Sequence, residues 1–220
     1  MKNRLADQAY EIIQRQIISL ELAPGQQIDE KQLAELIGIG RTPVREALLK
    51  LTSEYLVESQ PQKGFVVTHL TFQNTKSIFE ALRILEMGIA ELAVQQELSD
   101  TFALMQGACD QFESAMAGND FMRLFWANHH FHLHFAGCSK NDYLIRALKA
   151  VRNEVNRLTF LSFNSRFSDT DDFRRYNQSV LHEHSQLIDY LRKKDIDNLK
   201  KTLDMHIQGF QQRVVAYLTS

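Results

Sequence analysis

Cysteine and proline are both scarce in this 220-residue chain, at two and three residues. Cys109 and Cys138 have no CxxC spacing and cannot build a disulfide framework. They read as buried thiols in a reducing compartment, so the cytoplasm is the expected address. The prolines, Pro24, Pro43 and Pro61, all fall in the first third and leave the remainder free to be helical. No apolar run reaches the roughly 20 residues of a membrane span, and no membrane partner is expected. Met1 to Leu5 lead into an amphipathic pattern without the apolar core of a secretory signal. A surplus of charge is missing too, since the formal net charge is -2. In the first 70 residues the acidic groups offset Lys and Arg, so any nucleic-acid contact rests on where a few cations sit. What is plentiful is apolar surface, with 44% hydrophobic residues, which argues against extended disorder.

The apolar residues fall into two regimes. Leu5, Ala9, Ile12, Ile13, Ile17 and Leu20 keep helical spacing until Ala23-Pro24-Gly25 stops them. Leu33, Leu36 and Ile37 suggest a short helix ended by Gly38. Thr42 and Pro43 read as an N-cap and a first-turn proline, opening a helix with the stripe Val44, Ala47, Leu48 and Leu51. Residues 56–60 and 65–68 read as two strands around Pro61-Gln62-Lys63-Gly64. Three helices and a hairpin make a winged helix-turn-helix over residues 1–70. Residues 71–220 then read as long helices at about 72–97, 99–117, 119–136, 141–163, 172–193 and 195–218. The expected fold is mainly α: an N-terminal winged helix-turn-helix followed by an antiparallel all-α helical bundle.

With Val44, Ala47, Leu48 and Leu51 packed inward, Arg41 and Arg45 lie beside the stripe at the start of the third helix. That is where a recognition helix carries its base-reading residues, arginine bonding guanine bidentately. Thr42 and the free amides of the helix start suit phosphate oxygens. Lys31 can clamp the backbone, and Lys63-Gly64 at the hairpin tip can enter a minor groove. On charge alone, Arg41 and Arg45 read as a solvated helix face in preference to a DNA contact.

The order of the segment adds to this. Leu22-Ala23-Pro24-Gly25, Leu33 to Gly38, Arg41-Thr42-Pro43-Val44-Arg45-Glu46-Ala47-Leu48 and Gly64 to Val67 resemble the N-terminal domain of GntR-type bacterial regulators. The resemblance covers residues 5–68 and implies that Arg41 and Arg45 contact DNA. Two positions depart from the family: Gly40 stands where serine is usual, and Tyr55 where glycine is usual.

Four of the eight histidines crowd into residues 129–134. Phe121, Leu124, Asn128, His132 and Phe135 share one helical face; His184 lies on Val180/Leu181/Leu187/Ile188/Leu191, and His206 on Leu199/Leu203/Phe210/Val214. Three histidines from three helices point into one bundle. Either they share a divalent cation, or each is a separately hydrogen-bonded core residue. Arg83 and Glu86 lie on the face of Phe79, Leu82, Ala90 and Ala93. They read as a buried ion pair within one helix, or as a guanidinium receiving a carboxylate effector with Glu86 orienting it. Arg152, on Leu144/Leu148/Val151/Val155, is a second candidate for that anion.

Residues 72–218 resemble the all-helical FCD effector domain of the FadR-like GntR subfamily. The matching segments are Ala81 to Glu86, Phe131-His132 to Asn141, and Glu183-His184 with His206. The resemblance implies a metal site on His132, His184 and His206, with zinc the expected ion. In metal-binding members an aspartate stands four residues before the first histidine; here that position is Asn128, whose amide can coordinate but brings no charge. The implied function is a DNA-binding regulator and not an enzyme. It would act as a homodimer on a palindromic double-stranded operator, its affinity modulated by a small carboxylate. Two alternatives stay open: a small-molecule metalloenzyme using the same histidines, and a regulator whose helical domain binds no metal. Against the enzyme, HExxH, GxSxG and P-loop motifs are absent, and no inward carboxylate is evident as a general base beside the histidines.

Overall fold

The computed structural model describes residues 2–61, 64–163 and 171–219. Helix α1 (Lys2–Ile18), strand β1 (Gln27–Ile28), helices α2 (Glu30–Ile37) and α3 (Arg41–Ser53), and strands β2 (Val57–Gln60) and β3 (Gly64–Val67) form the N-terminal part. The remaining elements are α4 (Phe72–Ala93), α5 (Ser99–Ala117), α6 (Phe121–Gly137), α7 (Asp142–Phe163), α8 (Asp171–Lys193) and α9 (Ile196–Thr219). The chain divides into two compact units. One comprises Met1–Thr75 with Asn153–Leu161, the other Lys76–Arg152 with Ser162–Ser220. Among the described residues no helix is long and apolar enough to cross a membrane. Cys109 and Cys138 are free and buried, and burial pushes each thiol up to about 12.

In the first unit, α1 packs on α3, and the stripe Val44, Ala47, Leu48 and Leu51 closes over Ile13 and Ile17. Leu48, Leu51, Ile13 and Ile17 are fully buried, each contributing about 1.5–3 kcal/mol. Asp29 caps α2 by accepting from Lys31 N and Gln32 N, and Gly38 ends it in the left-handed region at φ 67°. The sheet order is β1-β3-β2, all antiparallel, with Ile28 opposite Phe65 and Val57 opposite Val67. Gly25 is obligatory: its φ is +79°, and a Cβ there would lie 2.3 Å from the His69 ring. Asn153 belongs to this unit, donating to Glu54 at 3.0 Å, while Tyr10 donates to the same carboxylate. Arg157 is fully buried, between Glu154 and the Thr68 carbonyl.

Three local expectations change. Helix α1 stops at Ile18, short of Pro24, because Leu20 turns to φ 59° and Leu22 N bonds Gln16 O. Strand β1 is too short to carry an alternation and gives no sequence signal. Gly40, not Thr42, is the N-cap of α3, with extended φ -60°, ψ 156° and no side-chain cap. Thr42 and Pro43 therefore sit inside the first turn, where the missing proline N–H would have had no helical partner.

The second unit is an antiparallel helical bundle in which α5 packs on α6 and α8, and α8 on α9. Its joins are capped by short polar residues. Asp120 accepts from Arg123 N, Asn141 from Tyr143 N and Leu144 N, and Asp195 from Asn198 N. Phe112, Ala115, Leu124, Ala127 and Val180 form one of its buried clusters, wall to the histidine-bearing helices.

Tyr55 keeps the left-handed turn that the GntR-like pattern fills with glycine, at φ 61°. Its side chain is 74% exposed and contributes little packing in return. Tyr55→Gly is therefore expected to stabilise the first unit by about 0.5–1 kcal/mol, the relief of steric strain exceeding the added unfolded-state entropy. Tyr55→Ala gains nothing, because alanine retains the Cβ. Chemical denaturation of the three proteins measures this.

Candidate functional site

Two clusters of polar side chains stand out, one in each unit. In the first, Arg41, Thr42 and Arg45 project from the start of α3, all exposed, beside the buried stripe. Gly40 leaves the first amides of α3 without a side-chain acceptor, open to an anion. Gln27, Asp29, Glu30, Lys31, Arg41 and Gly64 line an open cleft there. Lys31 is exposed and lies 4.0 Å from Glu35, a solvent-screened pair of little energetic weight. Arg45 lies 3.5 Å from Glu30, so its guanidinium has an internal acidic neighbour that the sequence pattern did not reveal. Gly64 begins β3 with φ +81°; Lys63 lies outside the described residues.

In the second unit, α6, α8 and α9 bring His132, His184 and His206 together. One ligand atom of each lies within 4.8 Å of the others. Their rings are mutually 5.2 Å apart, centroid to centroid. His132 and His184 are fully buried. Burial, reinforced by the neighbouring cationic groups, holds both imidazoles far below the usual histidine range, so they are neutral at pH 7. Phe131 stacks on His184 at 3.7 Å with 7° between planes, and Phe112 meets it edge-on. Nothing bonds either ring nitrogen of His184 among the described residues, although both are buried. A packed polar ring with no partner is what an electrophilic ligand would satisfy, and neutral imidazole nitrogens suit zinc. The residues present therefore fit a divalent cation.

Around the histidines lies an ionic frame. His206 Nδ1 is 2.7 Å from Glu183 Oε2, and its Nε2 is 3.3 Å from His132 Nε2. Burial alone would raise the Glu183 carboxyl, but hydrogen bonds from His206 and Ser179 outweigh it and hold the group below the usual range. Glu86 is fully buried on α4, and Arg152 on α7 is 4% exposed. Arg152 Nη2 donates both to Glu86 Oε1 and to His132 Nδ1. Asn128 lies one turn before His132, half-buried.

Two sequence expectations are corrected. Arg83 does not share the inward face: it is 51% exposed and pairs with Asp204 at 2.7 Å, because Leu82, Glu86, Ile89 and Ala93 take the buried positions. The buried partner of Glu86 is Arg152, from a different helix, so the pair within one helix is not formed. Inward carboxylates do exist beside the histidines. Glu86 is 3.4 Å from His132 Nδ1, and Glu183 bonds His206. Periodicity along one helix could not pair residues from two.

Residues 5–67 match the family of bacterial regulatory proteins, gntR family, and residues 77–209 match the FCD domain. The chain is 25% identical to the HTH-type transcriptional regulator YdhC of Bacillus subtilis (strain 168), over 90% of this chain and 86% of that one. It is 24% identical to the HTH-type transcriptional repressor RspR of Escherichia coli (strain K12), over 94% and 87%. Among solved structures, E. coli McbR/YncC shares the fold with a TM-score of 0.82 at 22% identity, covering 98% of this chain and 97% of that one. The matched families and relatives are transcriptional regulators and not enzymes, which removes the metalloenzyme alternative.

The unpartnered ring of His184 has a measurable cost in the metal-free protein. His184→Leu, of similar volume and without nitrogens, is expected to raise stability by about 1 kcal/mol. Relief of unmet hydrogen bonding at about 1–3 kcal/mol exceeds the lost ring stacking. Thermal melts in the presence of chelator test this. A marked loss of stability would mean that His184 has a bonding partner.

Proposed function

Because the chain belongs to the GntR family of bacterial regulators and carries an FCD domain, we propose that a small carboxylate in its second unit modulates its affinity for a palindromic operator. The carboxylate is held beside a divalent cation on His132, His184 and His206, and the protein acts as a homodimer in the cytoplasm. A two-fold axis doubles the contact set of a winged helix whose chain has a net charge of -2, and matches a palindrome. Arg41 and Arg45 address base edges. Lys31, Thr42 and the first amides of α3 address phosphates, with Lys63 and Gly64 at the wing.

One observation carries the metal reading: three buried imidazoles converge, and one of them, His184, has no hydrogen-bond partner among the described residues. Zinc suits this all-nitrogen set better than magnesium, which prefers oxygen. When bound, the cation supplies open coordination positions to an anionic effector. Asn128 adds a weak oxygen ligand without charge, and Glu183 orients His206. Arg152 is the counter-charge for the effector, a role that the exposed Arg83 does not fill.

The metal reading is tested by elemental analysis of zinc-reloaded protein after dialysis against a mild chelator. Wild type is expected to retain zinc, His184→Ala to lose it, and Asn128→Asp to hold it more tightly through the added charge. Zinc absent from wild type, or equally retained by His184→Ala, makes the histidines plain core residues.

The DNA reading is tested separately by gel shift. Arg45→Ala is expected to cost about 1–3 kcal/mol per half-site while leaving the fold intact, since the side chain is solvent-exposed. Undiminished operator affinity in that folded variant would remove α3 from the major groove.

A further inference from the structure

The hydrogen bonds around the three histidines determine which nitrogen of each ring carries its proton. An arginine guanidinium only donates. Since Arg152 Nη2 bonds His132 Nδ1, that nitrogen must present its lone pair. Neutral His132 is therefore protonated at Nε2, and this N–H faces His206 Nε2 at 3.3 Å. His206 in turn is protonated at Nδ1, where it donates to Glu183 at 2.7 Å. The result is one directional chain, from Arg152 through His132 and His206 to Glu183.

His206 is thereby already in the form a cation needs, with Nε2 open and Nδ1–H held by a carboxylate. His132 is in the opposite form. Its Nδ1 is covered by Arg152 and Glu86, so Nε2, which faces His206, is the nitrogen left for a cation, and Nε2 carries the proton. Ligation through Nε2 requires the proton to move to Nδ1, at no change in net charge. Nδ1–H then needs an acceptor in place of a donor. Glu86 Oε1 is 3.4 Å away, and Glu86 Oε2 has no partner among the described residues. The guanidinium has to leave Nδ1 for this to occur, and Arg152 Nε is likewise unbonded in its present position.

We infer that Arg152 is a tautomer lock on the metal site: its hydrogen bond keeps His132 in the non-ligating form, and cation binding moves the His132 proton from Nε2 to Nδ1, where it is donated to Glu86 in place of the Arg152 contact. This deepens the metal reading and rests on it. The released guanidinium has unmet donors and a full charge, as a carboxylate effector requires. By linkage, a carboxylate that holds Arg152 away from His132 strengthens cation binding, and the cation strengthens carboxylate binding by the same factor.

The test combines nitrogen-15 NMR of the histidine rings with zinc affinity measured by chelator competition. It uses wild type and the double variant Arg152→Met/Glu86→Gln. The double variant removes both buried charges together, so no lone ion is left in the core. Its glutamine carbonyl still accepts from Nδ1–H. In metal-free wild type His132 is expected to be protonated at Nε2, and on zinc addition at Nδ1. The variant is expected to be protonated at Nδ1 without metal and to bind zinc at least about tenfold more tightly, the equivalent of one charged hydrogen bond no longer broken. Metal-free wild type already protonated at Nδ1, zinc binding without a change of tautomer, or equal affinity of the two proteins would each overturn the lock alone. Zinc taken up by neither protein would overturn the metal reading together with the lock.

Discussion

Three imidazoles taken out of water impose the condition that the second unit has to meet. Each neutral ring has one donor and one acceptor, and a buried polar atom left unbonded costs about 1–3 kcal/mol. His132 and His206 meet that condition by bonding each other between two charged ends, Arg152 and Glu183. Among the described residues His184 does not meet it, and Glu86 Oε2 and Arg152 Nε are also unbonded. Of these groups His184 is packed between rings, stacked on Phe131 and met edge-on by Phe112. A core selected for stability alone would fill such a region with leucine. On the proposed reading, the cation is what meets that unmet capacity.

The parts of this arrangement legible in the sequence are those set by the pitch of a single helix. Val44, Ala47, Leu48 and Leu51 declare the buried face of α3, and so the outward placement of Arg41 and Arg45. The same rule turns His132, His184 and His206 inward. Unreadable were the features that depend on two helices at once. Arg83 and Arg152 both lie near apolar stripes, and only the packing of α4 and α7 decides that Arg152 is buried against Glu86 while Arg83 reaches Asp204. The cap of α3 was misplaced for a different reason. Glycine offers no side-chain signal, so Thr42-Pro43 looked like the helix start although the backbone had already turned at Gly40. Tyr55 shows the limit of a family pattern: the turn survives without its glycine, at a cost in strain.

Charge in the first unit works by position. The chain as a whole is slightly acidic, and Arg45 is next to Glu30 even at the exposed start of α3. On the proposed reading, a duplex displaces that carboxylate to engage the guanidinium. In water the pair is worth less than about 1 kcal/mol, so the displacement is cheap against a bidentate base contact at about 1–3 kcal/mol.

Helix α7 joins the two sets of constraints through its own backbone. Arg152 belongs to the second unit, where it bonds Glu86 and His132. Asn153, the next residue, belongs to the first, where it bonds Glu54 and Gln14. Consecutive helical residues are about 1.5 Å apart along the axis and about 100° apart around it, so two neighbours serve different surroundings on one rigid rod. A swing of the Arg152 side chain alone leaves Asn153 undisturbed. Within the first unit Glu54 accepts from both Tyr10 and Asn153, so the orientation of Asn153 is fixed by that carboxylate and by Gln14.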